Sequence, residues 1–268
     1  MEIEKNTSWF VFCGNNILLK EPQQAGEPHS IPQSTEPPTE TKEWTSIMEL
    51  PADKGGNQRK AYKTDNPQHQ DGYTYIGLRE SFSRLSREDY DMASKAAELL
   101  YWDANTKYCG MCGAPMQRAT EISKQCTHCG KESWPQVSPA IIVRIRKKND
   151  DGTEAILLVH ARNFRRTEMY GLVAGFVETG ETLEDCVRRE VREETHLQVT
   201  NIQYFGSQSW PYPCSIMIGF TADYAGGELQ IQKEELSKAG WFTKDNMPEI
   251  PDKMSIARRL IDDWLSQP

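Results

Sequence analysis

No stretch of the 268-residue chain approaches the ~20 consecutive apolar residues that cross a bilayer. A basic start and a long apolar core, the marks of a secretory signal, are also missing. The short apolar run at 9–13 follows acidic Glu2 and Glu4. These absences make a cytoplasmic chain the expectation. Positive charge is scarce too. Lys and Arg total 31 against 39 Asp and Glu, a net charge of −8, which argues against avid nonspecific binding to nucleic acid. The local basic runs at 144–148 and 162–166 read as solvated face or loop. No internal repeat is present. Hydrophobic residues at 37% and charged residues at 26% fit a globular chain of one large or two modest domains. Seven cysteines in a reducing compartment are not expected to form disulfides, and paired spacing among them points to metal.

Residues 1–20 can supply one or two strands. Residues 21–72 are rich in Pro, Gln, Thr, Glu and Gly and read largely as loop, with short strands around 44–50 and 59–63. A strand at 73–78 precedes a helix capped by Ser86, with Asp89 three residues on. Ala93, Ala96, Ala97 and Leu100 follow at helical spacing, and the helix should end near Asn105. Strands are expected at 137–146 and 154–160, joined by a turn holding Asn149, Asp150, Asp151 and Gly152. A helix follows at 182–197, then a strand at 214–224 with a Gly226-Gly227 turn. A short strand ends the segment 235–242. Met254, Ala257, Leu260, Ile261, Trp264 and Leu265 share one face of a last helix.

Cys109-Gly-Met-Cys112 and Cys126-Thr-His-Cys129 are separated by 13 residues. Thiolates at i and i+3 of a tight turn grip one side of a metal, and two such turns complete the tetrahedral four-cysteine site that Zn²⁺ prefers. Gly113 and Gly130 follow the pairs, where the knuckle needs an adaptable backbone. A closed site leaves no position for water, so its role is structural. A redox dithiol and a ribbon that reads nucleic acid are the alternatives.

The stretch 175–197 carries the chemistry. Thr182 can cap a helix with Asp185 at the capping-box position. Glu190 and Glu194 stand one turn apart on one face, with Glu193 beside them. Three carboxylates so close repel, and a hard divalent cation, Mg²⁺ or Mn²⁺, resolves the conflict. Because Mg²⁺ is usually held by few carboxylates plus substrate phosphate, the substrate should carry phosphates. Taken alone, an acidic solvated helix face paired with Arg189 or Arg192 explains such residues equally well. The full spacing decides otherwise. The segment resembles the Nudix box, G-x5-E-x7-R-E-U-x-E-E-x-G-U with U a bulky aliphatic residue. Gly175, Glu181, Arg189, Glu190, Val191, Glu193, Glu194 and Leu197 match. His196 stands where the family has glycine. That position should end the helix in the left-handed conformation, which histidine can adopt at small cost.

Downstream, Ser207, Gln208, Ser209, Trp210, Pro211, Tyr212, Pro213, Cys214 and Ser215 resemble the SQPWPFPxS array of NudC-type NADH pyrophosphatases, with Ser209 replacing proline and Tyr212 replacing phenylalanine. Without its context the array is a Pro-rich loop with core aromatics. The resemblance covers about 76–265 and implies an α+β chain: a Nudix α/β/α sandwich with a mixed sheet at 136–268, preceded by a four-cysteine zinc ribbon at 106–135 and a small N-terminal domain at 1–105. It implies that Glu190, Glu193 and Glu194 are catalytic, and that they bind two or three divalent ions with Glu235 and the Ala174 carbonyl. It implies that Trp134 and Phe176 hold adenine, with Trp134 in place of the usual tyrosine. The array, Glu121, Ala257 and Arg79 would complete the substrate contacts. The implied enzyme is a homodimeric NAD(H) diphosphatase yielding nicotinamide mononucleotide and AMP, and able to remove NAD caps from RNA. Hydrolysis of ADP-ribose or a related diphosphate, and a non-catalytic nucleotide- or RNA-binding module, are the competing readings. Cys13, Cys186 and Cys214 receive no role.

Overall fold

The computed structural model describes residues 6–24, 26–67, 71–162 and 169–267. Of the segments singled out above, 1–5 and the basic run beyond Arg162 lie outside these residues. The chain divides into two compact units, Met1–Gln136 with Pro211–Cys214, and Val137–Trp210 with Ser215–Pro268.

In the first unit β1 (Thr7–Cys13) is buried along all but its last residue, so both of its faces are covered. It pairs with β2 (Asn16–Lys20), β3 (Gln33–Ser34) and, in parallel, β5 (Arg59–Lys63). With β4 (Met48–Leu50) and β6 (Tyr73–Gly77) these strands form a sheet of order β4-β5-β1-β2-β6, with β3 on β1. After the short α1 (Leu78–Ser81), α2 (Arg87–Asn105) lies against β1 and β5. The Ser86 hydroxyl caps α2 by accepting the Asp89 N–H at 3.1 Å. Part of the long segment 21–72 has a structural use. Thr39 meets the buried Tyr62 hydroxyl at 2.8 Å, and Trp9 Nε1 donates to the Ser34 carbonyl at 3.2 Å. The strand expected at 44–50 is confined to Met48–Leu50, because Trp44 is 77% exposed and only Lys42 Nζ, 5.3 Å from its ring centroid, covers it. A three-stranded antiparallel ribbon follows: β7 (Met116–Thr120), β8 (Ser123–Cys126) and β9 (Glu132–Ser133). Asp103 of α2 holds it through Arg118 and Lys124, at 2.9 and 3.0 Å.

The second unit contains β10 (Ser138–Lys148), β11 (Glu154–Ala161), β12 (Val173–Phe176), α3 (Leu183–Thr195), β13 (Gln198–Trp210), β14 (Ser215–Gly226), β15 (Leu236–Phe242) and α4 (Ile256–Ser266). Its sheet runs β13-β14-β10-β11-β15 with β12 on β10, and the β10–β14 pair is parallel. The central strand β10 alternates between two cores. Ile141, Val143 and Ile145 pack with Cys186, Val187 and Val191 of α3. Ile142 packs with Ile256, Leu260, Ile261 and Trp264 of α4. Each such side chain contributes roughly 1.5–3 kcal/mol on burial. The result is a mixed sheet between helices, as the sequence implies.

Two strands of this unit lie outside those expected. β12 is only four residues long, and β13 is a half-exposed edge strand without clean alternation. The basic run at 144–148 needs a correction as well. Arg144 is buried, and its Nη1 donates to the Leu260 carbonyl at 3.0 Å and to Asp263 at 2.8 Å, joining β10 to α4. Arg146 pairs with Asp223 at 3.0 Å. Only the last part of that run is solvated face. Among the described residues no helix is long and apolar enough to cross a membrane.

Candidate active site

Helix α3 starts as its sequence dictates, with the Thr182 hydroxyl accepting the Asp185 N–H at 3.1 Å. It ends at His196, which takes the left-handed conformation (φ 60°, ψ 11°) and donates its N–H to the Arg192 carbonyl at 2.9 Å. The histidine fills the role that glycine has in the motif. The apolar stripe Cys186, Val187 and Val191 fixes the rotation of the helix against the sheet, and that rotation leaves Glu190 and Glu194 at the buried edge, 9% and 5% exposed.

Three features make this edge unusual. First, the Glu190 carboxylate lies directly against Gly175 of β12, so that a Cβ at 175 would stand 1.9 Å from the carboxyl carbon. Second, Glu194 has no hydrogen-bond donor for its carboxylate among the described residues. Burial first, and then the charges of Glu190, Glu235 and Glu193, push its carboxyl up to about 8. Burial also raises Glu190, against the opposing pull of Arg189. Third, Glu235 is brought to the same place by the segment before β15. The N–H groups of Gln230 and Gln232 donate to the carbonyls of Thr195 and Glu194 at 3.1 and 2.9 Å, and His196 Nδ1 meets the Gln230 carbonyl at 3.0 Å. A loop tied to the last turn of α3 thus delivers a fourth carboxylate. This donor set suits a hard divalent cation: oxygen-only, over-supplied with negative charge and partly buried.

Arg189 organises the rest, a role that its place in the box does not reveal. Its guanidinium donates to Glu181 at 2.7 and 3.0 Å, to Glu190 at 2.9 Å, to Glu193 at 3.1 Å and to the Phe176 carbonyl at 3.0 Å. This pairing holds the Glu181 carboxyl down to about 2. The alternative of an acidic face paired with arginine is therefore half right. Glu193 is exposed and paired, while Glu194 is buried and is not.

The four cysteines are the one set among the described residues whose metal-ligand atoms all lie within 4.8 Å of one another; the glutamates stand further apart. Cys109 and Cys129 approach to 3.6 Å, and Cys112 and Cys126 to 3.5 Å. Each pair sits on a matching knuckle. The N–H groups of Gly113 and Gly130 return to the carbonyls of Cys109 and Cys126, at φ of 75° and 72°. The N–H groups of Cys129 and His128 point at the Cys126 sulfur from 3.4 Å and hold its thiol down to about 6. Four thiols around one point, with Cys126 drawn toward its thiolate, fit a tetrahedral zinc site.

The array is split by the fold. Ser207, Gln208, Ser209 and Trp210 end β13, Ser215 opens β14, and Pro211–Cys214 belong to the N-terminal unit. Ser207 and Ser209 are exposed. The Gln208 amide accepts the Ile256 N–H at 2.6 Å and donates to the Met254 carbonyl at 2.9 Å, so it caps the start of α4. Trp210, Tyr212 and Cys214 are half-buried, Pro211 and Ser215 buried, and Pro213 exposed. Tyr212 meets the Tyr90 hydroxyl of α2 at 3.2 Å. Phe176, at the end of β12, is 60% exposed. Trp134 is 47% exposed rather than the buried aromatic that its bare context suggests. Ala174 packs on the α4 side of the sheet, and Ala257 is buried within that core. Arg79 and Glu121 are exposed residues of the N-terminal unit, on α1 and in the β7–β8 turn, whereas the α3 carboxylates belong to the other unit. Cys186 is fully buried and Cys13 and Cys214 partly so, as befits small apolar side chains.

The family described as "NUDIX domain" matches residues 136–265, and that described as "NADH pyrophosphatase-like rudimentary NUDIX domain" matches 6–102. The chain is 44% identical over 175 residues to the NAD-capped RNA hydrolase NudC of Pectobacterium atrosepticum, covering 65% of each. That match spans just under two thirds of the relative. To the protein of the same name from Stutzerimonas stutzeri it is 36% identical over 234 residues, covering 84% of this chain and 83% of the other. The Haemophilus influenzae protein of that name is 41% identical over 197 residues, with 72% and 73% covered. The box on α3, the rudimentary domain before it and these long matches agree, and the chain belongs to the NudC-type Nudix hydrolases.

Proposed function

We propose that the chain hydrolyses the diphosphate of NADH or NAD to nicotinamide mononucleotide and AMP, and that it removes NAD caps from RNA by the same reaction. The observation that carries this reading is the buried, donor-free Glu194 carboxylate ringed by Glu190, Glu193 and Glu235 on a Nudix helix. The substrate class follows the relatives, which bear the name NAD-capped RNA hydrolase. It also follows the array at 207–215, which argues against ADP-ribose as the preferred substrate.

In this reading Glu190, Glu193, Glu194 and Glu235, with the Ala174 carbonyl, hold two or three Mg²⁺ or Mn²⁺ ions. When bound, such ions neutralise the diphosphate and acidify water. Water adds to one phosphorus as the bridging P–O bond breaks, and two phosphomonoesters leave. One glutamate of the set takes the proton of the attacking water. Arg189 keeps Glu190 and Glu193 oriented through its guanidinium. Phe176 offers its exposed ring to a base on the Nudix unit, and Trp134 offers another on the N-terminal unit, since any base has a face to stack. Exposed Ser207 and Ser209 can donate hydroxyls to ribose or phosphate, whereas Gln208 shapes the site by holding α4. Arg79, Glu121, Ala257 and the remaining array residues are assigned to substrate contact. The four cysteines bind one structural Zn²⁺. The division at 1–105, 106–135 and 136–268, a homodimer and a cytoplasmic location complete the proposal.

Product analysis tests it. With Mg²⁺ or Mn²⁺ present, NADH, NAD and NAD-capped RNA should release nicotinamide mononucleotide faster than ADP-ribose is cleaved. Faster cleavage of ADP-ribose would remove the array argument. Cleavage of nothing would move a binding module to first place.

Gly175→Ala tests the packing of the carboxylates. The added methyl takes the space of the Glu190 carboxyl group, which must swing away. Shifts of ~1 Å in a reacting group cost about a hundredfold in rate, so kcat should fall by about that factor. The circular dichroism spectrum should be retained, and wild-type kcat in a folded variant would contradict the site.

A further inference from the structure

The N-terminal unit has a sheet and helix of its own but lacks the glutamate box, which leaves its contribution open. The loop Pro211–Cys214 supplies an answer. It leaves the Nudix sheet at Trp210, returns at Ser215, and between those points belongs to the N-terminal unit. There Pro211, Tyr212 and Pro213 form one wall of a groove of about 310 Å³ whose other walls are Phe12, Leu78 and Tyr101, among others. A loop that borders so much open space is not fixed by close packing on that side. A polar hold comes from the Tyr212 hydroxyl, 3.2 Å from the hydroxyl of Tyr90. Tyr90 is 6% exposed and set in α2, and Phe82 meets its ring edge-on at 5.1 Å between centroids. It is a rigid post. Tyr212 is half-buried and also feels the Arg79 charge.

We propose that Tyr90 is a positioning residue: through Tyr212 it sets the substrate array, so the rudimentary domain acts as the seat of the substrate loop. This rests on the reading of the array as a substrate contact. Held in place, the loop needs no ordering when substrate arrives, and the gain shows as ground-state and transition-state binding alike.

Tyr90→Phe removes one hydroxyl and keeps the ring against Phe82. KM for NADH should rise about fivefold, the size of one net hydrogen bond. The turnover number should stay within about twofold, as expected when uniform binding is lost. Hydrogen–deuterium exchange of the peptide 207–216 should quicken while that of α2 does not. In a Tyr212→Phe background, adding Tyr90→Phe should raise KM no further, because both changes break one interaction. An equal rise in both backgrounds would show that the effect bypasses Tyr212 and would overturn the proposal. Unchanged KM and unchanged exchange would overturn it too. If wild-type protein leaves NADH intact, the functional reading fails, and the exchange of 207–216 alone decides whether Tyr90 positions the loop.

Discussion

Glu194→Gln lowers NADH hydrolysis by about a thousandfold or more, the scale seen when a preorganised charge-stabilising group is removed. The substitution is nearly isosteric, and the side chain is only 5% exposed, so the amide occupies the same space. What it loses is charge. An amide oxygen is a weaker partner for a hard dication, and the ring of Glu190, Glu193 and Glu235 then lacks its innermost member. Fold stability should move the other way. Without added divalent cation the wild-type protein keeps a carboxyl whose neighbours and burial oppose ionisation. The neutral amide relieves that opposition, so the variant should melt no lower than wild type under those conditions. Adding Mn²⁺ should raise the wild-type melting temperature, since ligands bound only to the native state stabilise it, and raise that of the variant less. Melting curves with and without Mn²⁺, beside initial rates, separate the two effects. A variant with wild-type rates, or one that melts below wild type without added divalent cation, would refute the assignment.

Cys112→Ser abolishes zinc binding and melts the ribbon. A serine hydroxyl does not ionise near neutrality, so the site loses one of four thiolates. Metal binding to such a site contributes of order 10 kcal/mol to the folding of its segment, far more than a three-stranded ribbon of this size can supply by burial. Zinc per chain, measured by inductively coupled plasma mass spectrometry, should fall from about one to near zero. Peptides within 107–133 should become sensitive to protease, and solubility should drop. The Nudix unit has its own two cores on either side of its sheet and should keep its helical signal. Cys13→Ser is the control, because Cys13 lies on β1, outside the cluster, and its loss should leave zinc content unchanged. Full stability of Cys112→Ser without zinc would mean that the cysteines are not a structural centre.

What is legible in the sequence follows from strict local rules. Cysteine spacing depends on a short knuckle, and the α3 box depends on helical periodicity and a cap, so both are visible before any fold is known. The left-handed His196 is legible for the same reason: a helix end is a local event. The parts that escape such reading depend on partners far away in the chain. β13 is polar because it is a sheet edge, and its pairing with β14 cannot be read from its own composition. Gln208 gives no local sign that Met254 and Ile256, far along the chain, hydrogen-bond its amide. Arg144 looks solvated until α4 closes over it. Trp134 next to a proline gives no hint that it is half exposed. The hold of Tyr90 on Tyr212 spans 122 positions of sequence and has no local signal at all.

The placement of the glutamates along α3 has a consequence for the helix itself. Glu193 and Glu194 lie in its final turn beside Arg192, where the aligned peptide dipoles leave a negative pole. Acidic groups there oppose the macrodipole at a cost of roughly 0.3–1 kcal/mol each, where lysine or arginine would be favoured. Glu184 and Asp185 at the opposite end obey the rule, so the violation is confined to the C-terminal end. A dication bound at that end reverses the sign of the interaction, because carboxylates and pole then attract the same charge. On the proposed reading, the last turn of α3 is frustrated as bare protein and consistent once a dication is held there.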